Sequence, residues 1–192
     1  MADRPYHHGN LRAALLGEAE RTLRERGIDA LSLRDLARQA DVSHAAPRRH
    51  FADRQALLDA LAEAGFTRLA DEVRAAIDDA GEDYQAQLRA AATAYVRFAT
   101  RDAALLELMF GAENAESPGA RHETPERLFT IAGELIRRGQ QTGQLPPGDP
   151  EPLRLLLVAT WQGIAALITS GLVGASQIEP LIADAVALFT RV

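Results

Sequence analysis

The segment from His44 to His50 carries four side chains that can donate hydrogen bonds: His44, Arg48, Arg49 and His50. Between them, Ala45 and Ala46 are small enough to allow close approach to the edges of bases. Arginine pairs with phosphate oxygens and with the acceptor edge of guanine, because its planar donors match both. The chemistry that these residues support is recognition of DNA through hydrogen bonds.

A short helix before this segment is predicted from its cap and its apolar spacing. Ser32 can accept from free backbone amides, and Asp35 stands three residues later, as in a capping box. Apolar residues then recur at three- and four-residue intervals, namely Leu33, Leu36, Ala37 and Ala40. Arg34 and Arg38 fall on the opposite side, which can stay in water or meet phosphate.

Residues 40–42 are too few for anything but a sharp turn, and Ser43 is placed to cap a second helix from about His44 to His50. Pro47 falls near the fourth position of that helix, where a backbone amide would normally begin to bond backwards. We therefore expect a short or slightly irregular second helix.

Charge is divided unevenly along the chain, whose net charge is −6. Residues 1–55 hold ten arginines, eight acids and four of the five histidines, whereas the remaining 137 residues hold eleven arginines and nineteen acids. A mildly basic head on an acidic body is typical of a protein that touches DNA through one small face.

The residues around this motif predict two further helices in the amino-terminal half. Asn10 can cap a first helix that ends at Gly27, and Phe51 is expected to fill the shared core. The inward stripe of this helix is predicted to be Leu11, Leu15, Ala19, Thr22 and Leu23. Asp53 can cap a long helix that runs to about Asp79. A helix of that length could carry a signal from head to body, or could simply be a long core helix.

The body is predicted to be helical throughout. Helical spacing is seen around Leu88 to Ala99 and again from Leu105 to Phe110, the segment 111–123 has the composition of a surface loop, and Thr124 with Pro125 restarts a helix. The fold class is therefore all-α with about nine helices, divided into a head of residues 1–52 and a body of residues 53–192.

The last third is the most apolar part of the chain. Residues 155–178 contain no charge, which meets the length of a membrane span, but no basic cluster anchors the far side. We favour a helix hairpin that completes a four-helix dimer interface, formed by about residues 150–190 of two copies. No membrane partner is expected.

The chain resembles the TetR family of bacterial transcriptional regulators. The resemblance rests on YHHGNLRAALL, on LSLRDLARQADVSHAAPRRHFADRQALL, and on the long helix that follows. In the body, Trp161-Gln162-Gly163 is similar to the Trp-His-Gly signature of one subfamily, from which Gln162 departs. Members more often carry an aromatic residue where Arg48 stands.

The resemblance implies a set of residues that face an operator in double-stranded DNA: Ser43, His44, Ala45, Ala46, Arg48, Arg49 and His50. It also implies that Arg54 meets phosphate, and that Ser32 and Arg34 add contacts to the DNA backbone. The alternative for each arginine is a solvated surface residue, and His50 could instead cap or pack beside Phe51.

Signals for catalysis and for metal binding are weak. The sequence has no cysteine, no glycine-rich phosphate loop and no nucleophile elbow, and His7 and His8 are adjacent in the amino-terminal arm rather than spaced for a metal. We expect no enzyme, no metal site and no cofactor.

A pocket for an unknown small-molecule effector is more plausible, because bodies of the family commonly enclose one. Its candidate residues are the large apolar side chains of the body: Tyr95, Phe98, Met109, Phe110, Phe129 and Trp161. For each of them, a place in the core is the more common role than a ligand contact. The scarcity of charge on these helices favours an apolar or amphipathic effector.

The sequence thus predicts a homodimeric repressor that binds a palindromic operator and releases it when a small molecule fills the body. Half-sites would lie about 34 to 36 Å apart, one turn of DNA. The absence of a secretion signal favours the cytoplasm. The alternative is a helical small-molecule binding protein whose head no longer reads DNA.

Overall fold

The computed structural model describes residues 11–111 and 126–190. Within these ranges the regular structure is helical, with eight α-helices: α1 Leu11–Arg26, α2 Leu33–Gln39, α3 Arg54–Asp79, α4 Tyr84–Arg101, α5 Ala103–Phe110, α6 Glu126–Gln141, α7 Pro150–Thr169 and α8 Ile178–Thr190. Short 3-10 helices at Ile28–Ala30, Pro47–Arg49 and Ala175–Gln177 join some of them. The predicted all-α class is confirmed. The cap at Asn10, the loop over 112–123 and the restart at Thr124 and Pro125 lie outside the described residues.

The chain divides into two compact units. The first comprises residues 1–65 and 104–118, and the second comprises residues 66–103 and 119–192. The long helix α3 contributes to both, since the division falls after Gly65. The predicted boundary between residues 52 and 53 stays a prediction.

The first unit is built on the apolar stripe of α1. Leu15, Ala19 and Leu23 are at most 2% exposed, as the sequence predicted for the inward face. Leu11, which was predicted to belong to the same stripe, is only half-buried because it is the first residue of the helix. Leu36 and Ala37 of α2 and Leu57, Leu58 and Leu61 of α3 are also buried. Phe51 is buried with them, which confirms its predicted place in this core.

Helix α5 belongs to the same unit because it packs closely on α3 at Gly65. A Cβ added at Gly65 would lie 2.7 Å from Met109 Sδ and 3.2 Å from Leu105 Cγ. Since real Cβ atoms essentially never lie within 3.0 Å of a heavy atom, any residue other than glycine fits there only if Met109 shifts. The contact accounts for a glycine in the middle of a long helix, where it otherwise costs stability.

The second unit is a bundle in which α4 packs against α7 and α8, and α6 packs against α7. Asp83 caps α4, its Oδ1 accepting from the amide of Ala86 at 2.7 Å, and Asp149 caps α7 by accepting from Glu151 at 3.0 Å. The two largest buried side chains of the bundle, Tyr95 and Trp161, meet in its core, with ring centroids 5.7 Å apart.

The helical spacing that runs from Leu88 to Phe110 is interrupted at Asp102, where α4 ends and α5 begins. The side chain of Asp102 is 3% exposed and accepts from Arg101 Nε at 2.8 Å. Arg68 Nη2 lies 3.6 Å from the same carboxylate oxygen. A buried carboxylate needs such partners, because burying an unpaired charge is costly.

A second close approach fixes the start of α4 against the end of α6. A Cβ at Gly139 would lie 2.6 Å from Tyr84 Cζ and 2.8 Å from Leu145 Cδ1. Tyr84 is 4% exposed, and burial raises the pKa of its phenol to about 12. Its hydroxyl has no hydrogen-bond partner in the part of the chain that the structure describes.

Helix α7 is long and apolar enough to cross a membrane by length and composition alone. Its inner face is buried in the second unit through Leu157, Val158, Trp161, Ile164 and Ala165. Its other face leaves Leu155, Leu156 and Leu167 between 39% and 55% exposed. The two faces together are typical of a helix that serves a core on one side and an interface on the other.

Candidate nucleic-acid interface

The cap predicted for α2 is present. Ser32 has extended backbone dihedrals, and its hydroxyl accepts from the amide of Asp35 at 3.3 Å. Leu36 and Ala37 are buried, whereas Arg34 and Arg38 are exposed on the opposite side. Arg38 pairs with Asp35 at 2.7 Å, so Arg34 is the arginine of α2 that has no ion pair in the described ranges.

The turn after α2 is closed by two backbone hydrogen bonds. The amide of Val42 donates to the carbonyl of Ala37 at 3.0 Å, and that of Asp41 donates to Arg38 at 3.3 Å. This pair of bonds is the Schellman arrangement, which requires a left-handed residue after the helix cap. Asp41 takes that conformation with φ of 53°, a position usually held by glycine or asparagine.

The predicted α-helix over residues 44–50 is wrong. Residues 44–46 form a turn, and Pro47–Arg49 form a 3-10 helix. Pro47 has no amide to donate to the carbonyl of Ser43, which accepts instead from Ala46 at 2.9 Å. The expectation of a short or slightly irregular helix is confirmed only in that Pro47 begins a three-residue 3-10 helix. The described residues therefore contain eight α-helices.

The acceptor at Ser43 is its backbone carbonyl and not the hydroxyl that was predicted to cap a helix. The 3-10 helix begins after Ala46, and no side chain caps it. The segment is held instead by backbone bonds from Arg49 to Ala46 at 3.2 Å and from His50 to Pro47 at 2.9 Å. Its side chains are consequently left free to point outwards.

Burial separates the side chains of this segment into two groups. Pro47 is buried and Ala46 is half-buried, and Ser43, His44, Ala45, Arg48, Arg49 and His50 are exposed. The exposed group contains the four predicted hydrogen-bond donors. We call this exposed set, together with Ser32 and Arg34, the reading face.

Phe51 anchors the reading face to the core beneath it. Arg12 lies over its ring at 5.5 Å, a distance at which a cation and an aromatic face attract one another. The ring of His50 lies 6.5 Å from that of Phe51 at an angle of 57°, yet His50 itself is exposed. Packing beside Phe51 therefore does not bury the imidazole.

Arg54 has a structural role that the sequence did not reveal. Its Nη2 donates to the carbonyl of Ile28 at 2.8 Å, and its Nε donates to that of Leu31 at 3.2 Å. These bonds tie the first residue of α3 to the segment just before α2. Other N–H groups of Arg54 remain for the phosphate contact implied by the family resemblance. No local signal could have shown the pairing, since the partners are 23 and 26 residues away.

The six residues predicted to touch an effector do not form one cluster. Tyr95 and Trp161 meet in the second unit, where the ring of Phe98 lies 5.4 Å from the guanidinium carbons of both Arg68 and Arg101. Met109, by contrast, packs on Gly65 in the first unit, and Phe110 of that unit is 39% exposed.

Phe129 lines a separate groove of about 290 Å³ between α6 and α7. Arg154 covers its ring at 4.8 Å and is held by Glu151, whose Oε2 accepts from Arg154 Nε at 2.8 Å. Arg137 and Arg154 both approach Gly133 in the floor of the groove. The groove is thus more polar than the pocket expected from the sequence.

Tyr95 carries a hydroxyl group into the core of the second unit. It is fully buried, and its hydroxyl has no hydrogen-bond partner among the described residues. Burial raises the pKa of the phenol above its ordinary value, so it is neutral near pH 7.

No group of three or more metal-binding side chains was found within residues 11–111 and 126–190. The exposed donors of the reading face suit binding to a polyanion.

Comparison with known proteins identifies a family of regulatory proteins. The profile of "Bacterial regulatory proteins, tetR family" matches residues 15–61, and that of "Tetracyclin repressor-like, C-terminal domain" matches residues 88–191. A protein of unknown function from Rhodococcus sp. RHA1 is 43% identical, with 98% of each chain covered and a TM-score of 0.88. None of the curated proteins matches the chain.

Two more distant structures share the fold. PfmR from Thermus thermophilus, a TetR family transcriptional regulator, is 21% identical, with 92% of this chain and 97% of that chain covered and a TM-score of 0.71. AibR, solved with isovaleryl coenzyme A and operator DNA, is 18% identical, with 93% and 97% covered and a TM-score of 0.71.

The assignment of Trp161-Gln162-Gly163 to a subfamily stays a prediction, because neither profile tests it. The second profile by itself covers more than half of the chain, and the Rhodococcus protein is similar over nearly its whole length. The chain therefore belongs to the TetR family of bacterial regulatory proteins, whose members are generally DNA-binding transcriptional regulators.

Proposed function

We propose that this protein is a homodimeric transcriptional repressor that binds a palindromic operator through the reading face and leaves it when a small molecule binds the body. The observation that carries the proposal is the exposure of four donor residues on a segment closed by backbone hydrogen bonds, namely His44, Arg48, Arg49 and His50. Donors presented in this way can meet both base edges and phosphates.

The DNA contacts are proposed as follows. Arg48 and Arg49 donate hydrogen bonds to phosphate or guanine, and His44 and His50 donate further hydrogen bonds. The small residues allow the segment to approach the base edges closely, and they are Ser43, Ala45 and Ala46. Ser32, Arg34 and Arg54 add contacts to the sugar-phosphate backbone. Because many of these contacts are ionic, affinity should fall steeply with salt.

The test is a double variant, Arg48→Ala with Arg49→Ala, assayed for retardation of the DNA upstream of its own coding region. We expect about a hundredfold loss of affinity, since two contacts of this kind are removed. The matched control is Arg21→Ala with Arg24→Ala, which removes the same charge from exposed residues of α1 in the same unit. The control should bind like the wild type.

Two results would count against the proposal. If the folded Arg48 and Arg49 variant retarded the fragment as well as the wild type, the reading face would be assigned wrongly. If the wild-type dimer showed no salt-sensitive DNA binding at all, the protein would instead be a helical small-molecule binding protein whose head does not bind DNA.

The dimer is proposed to form through α7 and α8. Five exposed apolar side chains lie in residues 155–188, and they are Leu155, Leu156, Leu167, Leu172 and Leu188, from 39% to 77% exposed. An apolar surface of this kind is costly in water and is typical of an oligomer interface. Sedimentation should give twice the chain mass of 20.8 kDa.

Release by a small molecule is proposed from the family and from the core of the second unit. The Tyr95 hydroxyl lies beside Trp161 and has no hydrogen-bond partner within residues 11–111 and 126–190. It could therefore hold a polar atom of an effector that is otherwise apolar. AibR, which shares the fold, was solved with isovaleryl coenzyme A. A ligand releases DNA only if it binds the free conformation more tightly. We place the protein in the cytoplasm, where operator DNA lies.

A further inference from the structure

A cavity of about 260 Å³ lies in the first unit and shares no lining residue with the reading face. Its walls come from the end of α1 and the 3-10 helix that follows, and from α5. The lining residues used below are Leu23, Gly27, Ile28, Ala104, Glu107 and Leu108. We call this space the head cavity.

The lining of the head cavity defines the chemistry of its occupant. Leu23, Ile28, Ala104 and Leu108 are apolar, and Glu107 is the ionisable residue among the lining side chains. Glu107 is exposed and makes no ion pair within the described residues. The volume lies just below the roughly 300 to 1,000 Å³ of pockets for drug-sized ligands. The space therefore suits a small apolar molecule that carries one positively charged group.

We infer that the head cavity is a binding site for a small apolar amine, whose ammonium group pairs with Glu107 while its hydrocarbon part lies against Leu23, Ile28 and Leu108. This site is separate from the effector site proposed in the second unit, because none of Tyr95, Phe98, Phe129 and Trp161 lines it.

The cavity is linked to the reading face by the backbone of one of its walls. The carbonyl of Ile28 accepts from Arg54 Nη2 at 2.8 Å and from the amide of Leu31 at 3.1 Å. Gly27, with φ of 79°, starts this wall, and Ser32, the cap of α2, follows Leu31 directly. A ligand that holds Ile28 thus also holds Arg54 and the start of α2. Binding of a ligand in the head cavity should therefore change the affinity for DNA. This coupling rests on the proposed function.

The binding test uses 2-phenylethylammonium and the uncharged 2-phenylethanol, titrated calorimetrically into the full chain. We expect the ammonium ligand to bind about threefold to fivefold more tightly, as one exposed charge pair provides. In Glu107→Gln this preference disappears. The matched control Glu63→Gln, which removes another exposed acid of the same unit, keeps it. No saturable binding at millimolar ligand, or an unchanged preference in Glu107→Gln, overturns the site.

A second pair of variants tests the place of the ligand. Ala104→Leu puts a larger side chain into the cavity, and we expect binding to weaken about tenfold or more, since interiors do not yield to added volume. Ala103→Leu makes the same change at the exposed neighbouring residue and should bind as the wild type does. Equal binding by both variants overturns the location. Should Ala104→Leu fail to fold, the Glu107→Gln comparison decides the question.

The coupling test repeats the DNA retardation assay with and without saturating 2-phenylethylammonium. The ligand should change the dissociation constant of the wild type and of Ala103→Leu about threefold or more, and that of Ala104→Leu not at all. Bound ligand with unchanged DNA affinity overturns the coupling. A wild type that binds ligand but not DNA overturns the proposed function and leaves the ligand site standing.

Discussion

The reading face and the centre of the second unit hold their side chains by opposite means. The segment 43–50 is fixed by backbone hydrogen bonds between residues three apart, and its side chains are exposed. Tyr95, Phe98 and Trp161 are at most 2% exposed and are placed by packing between helices distant in sequence.

Because the two regions hold their side chains differently, substitutions in them should affect different properties of the protein. Substitution in the reading face removes a donor and leaves the packing intact, so its effect should appear in DNA binding. Substitution in the second unit opens a cavity or strains a contact, so its effect should appear first in folding. A loss of regulation by a variant of the second unit therefore needs a stability measurement beside it.

The sharpest way to break this comparison is Trp161→Ala. Trp161 is 2% exposed, and its removal should cost about 3 to 5 kcal/mol of the free energy of unfolding. Urea unfolding followed by circular dichroism measures it. The control His44→Ala, at an exposed residue of the reading face, should stay within about 0.5 kcal/mol of wild type. Similar costs for the two would abolish the distinction.

A second test uses one substitution at two glycines. Gly139→Ala forces a methyl group against Tyr84 and Leu145 and should destabilise the protein by about 2 kcal/mol. Gly17→Ala, exposed on α1 with nothing within 4 Å, should stabilise it by about 0.5 to 1 kcal/mol. Adding Tyr84→Phe should recover part of the loss at Gly139. If both substitutions raised the free energy of unfolding, the gain in helix propensity would outweigh the close contact at Gly139.

Arg54 combines both kinds of role within the first unit, because it belongs to the proposed DNA contacts and also donates to backbone carbonyls. Arg54→Ala removes the guanidinium donors from the carbonyls of Ile28 and Leu31, although Ile28 keeps the amide of Leu31 as a donor. The substitution should cost about 1 to 2 kcal/mol in urea unfolding. Arg34→Ala, at an exposed arginine, serves as the control and should leave stability unchanged. If Arg54→Ala were equally silent, its only role would be in DNA binding.

The smallest expected effect is that of Tyr95→Phe. The hydroxyl is buried without a partner among the described residues, so its removal should raise the free energy of unfolding by up to about 1 kcal/mol. Tyr84→Phe, which removes a hydroxyl in the same state, should behave alike. A clear destabilisation by Tyr95→Phe would mean that the hydroxyl is bonded in the protein and is not waiting for an effector.

Local signals in the sequence predicted the helices other than the one over residues 44–50, and they predicted two of the helix caps. Ser32 and Asp53 each carry an oxygen that accepts from an amide three residues later, and both caps are present. The inward stripe of α1 was also legible, because its period matches the turn of a helix. The second helix of the motif does not form as predicted from Ser43. Pro47 lacks the backbone amide that would bond to the carbonyl of Ser43 in an α-helix, so the segment forms a 3-10 helix instead.

The sequence by itself thus determined the all-α fold, the family and the donor residues of the reading face, because each depends on residue types and short spacings. Tertiary structure alone decided that α5 packs on Gly65, that Arg54 bonds to Ile28 and Leu31, and that Glu107 borders a cavity beside the end of α1. These are contacts between residues 23 to 84 positions apart, and no local pattern encodes them. They depend on which apolar faces bury one another when the whole chain folds.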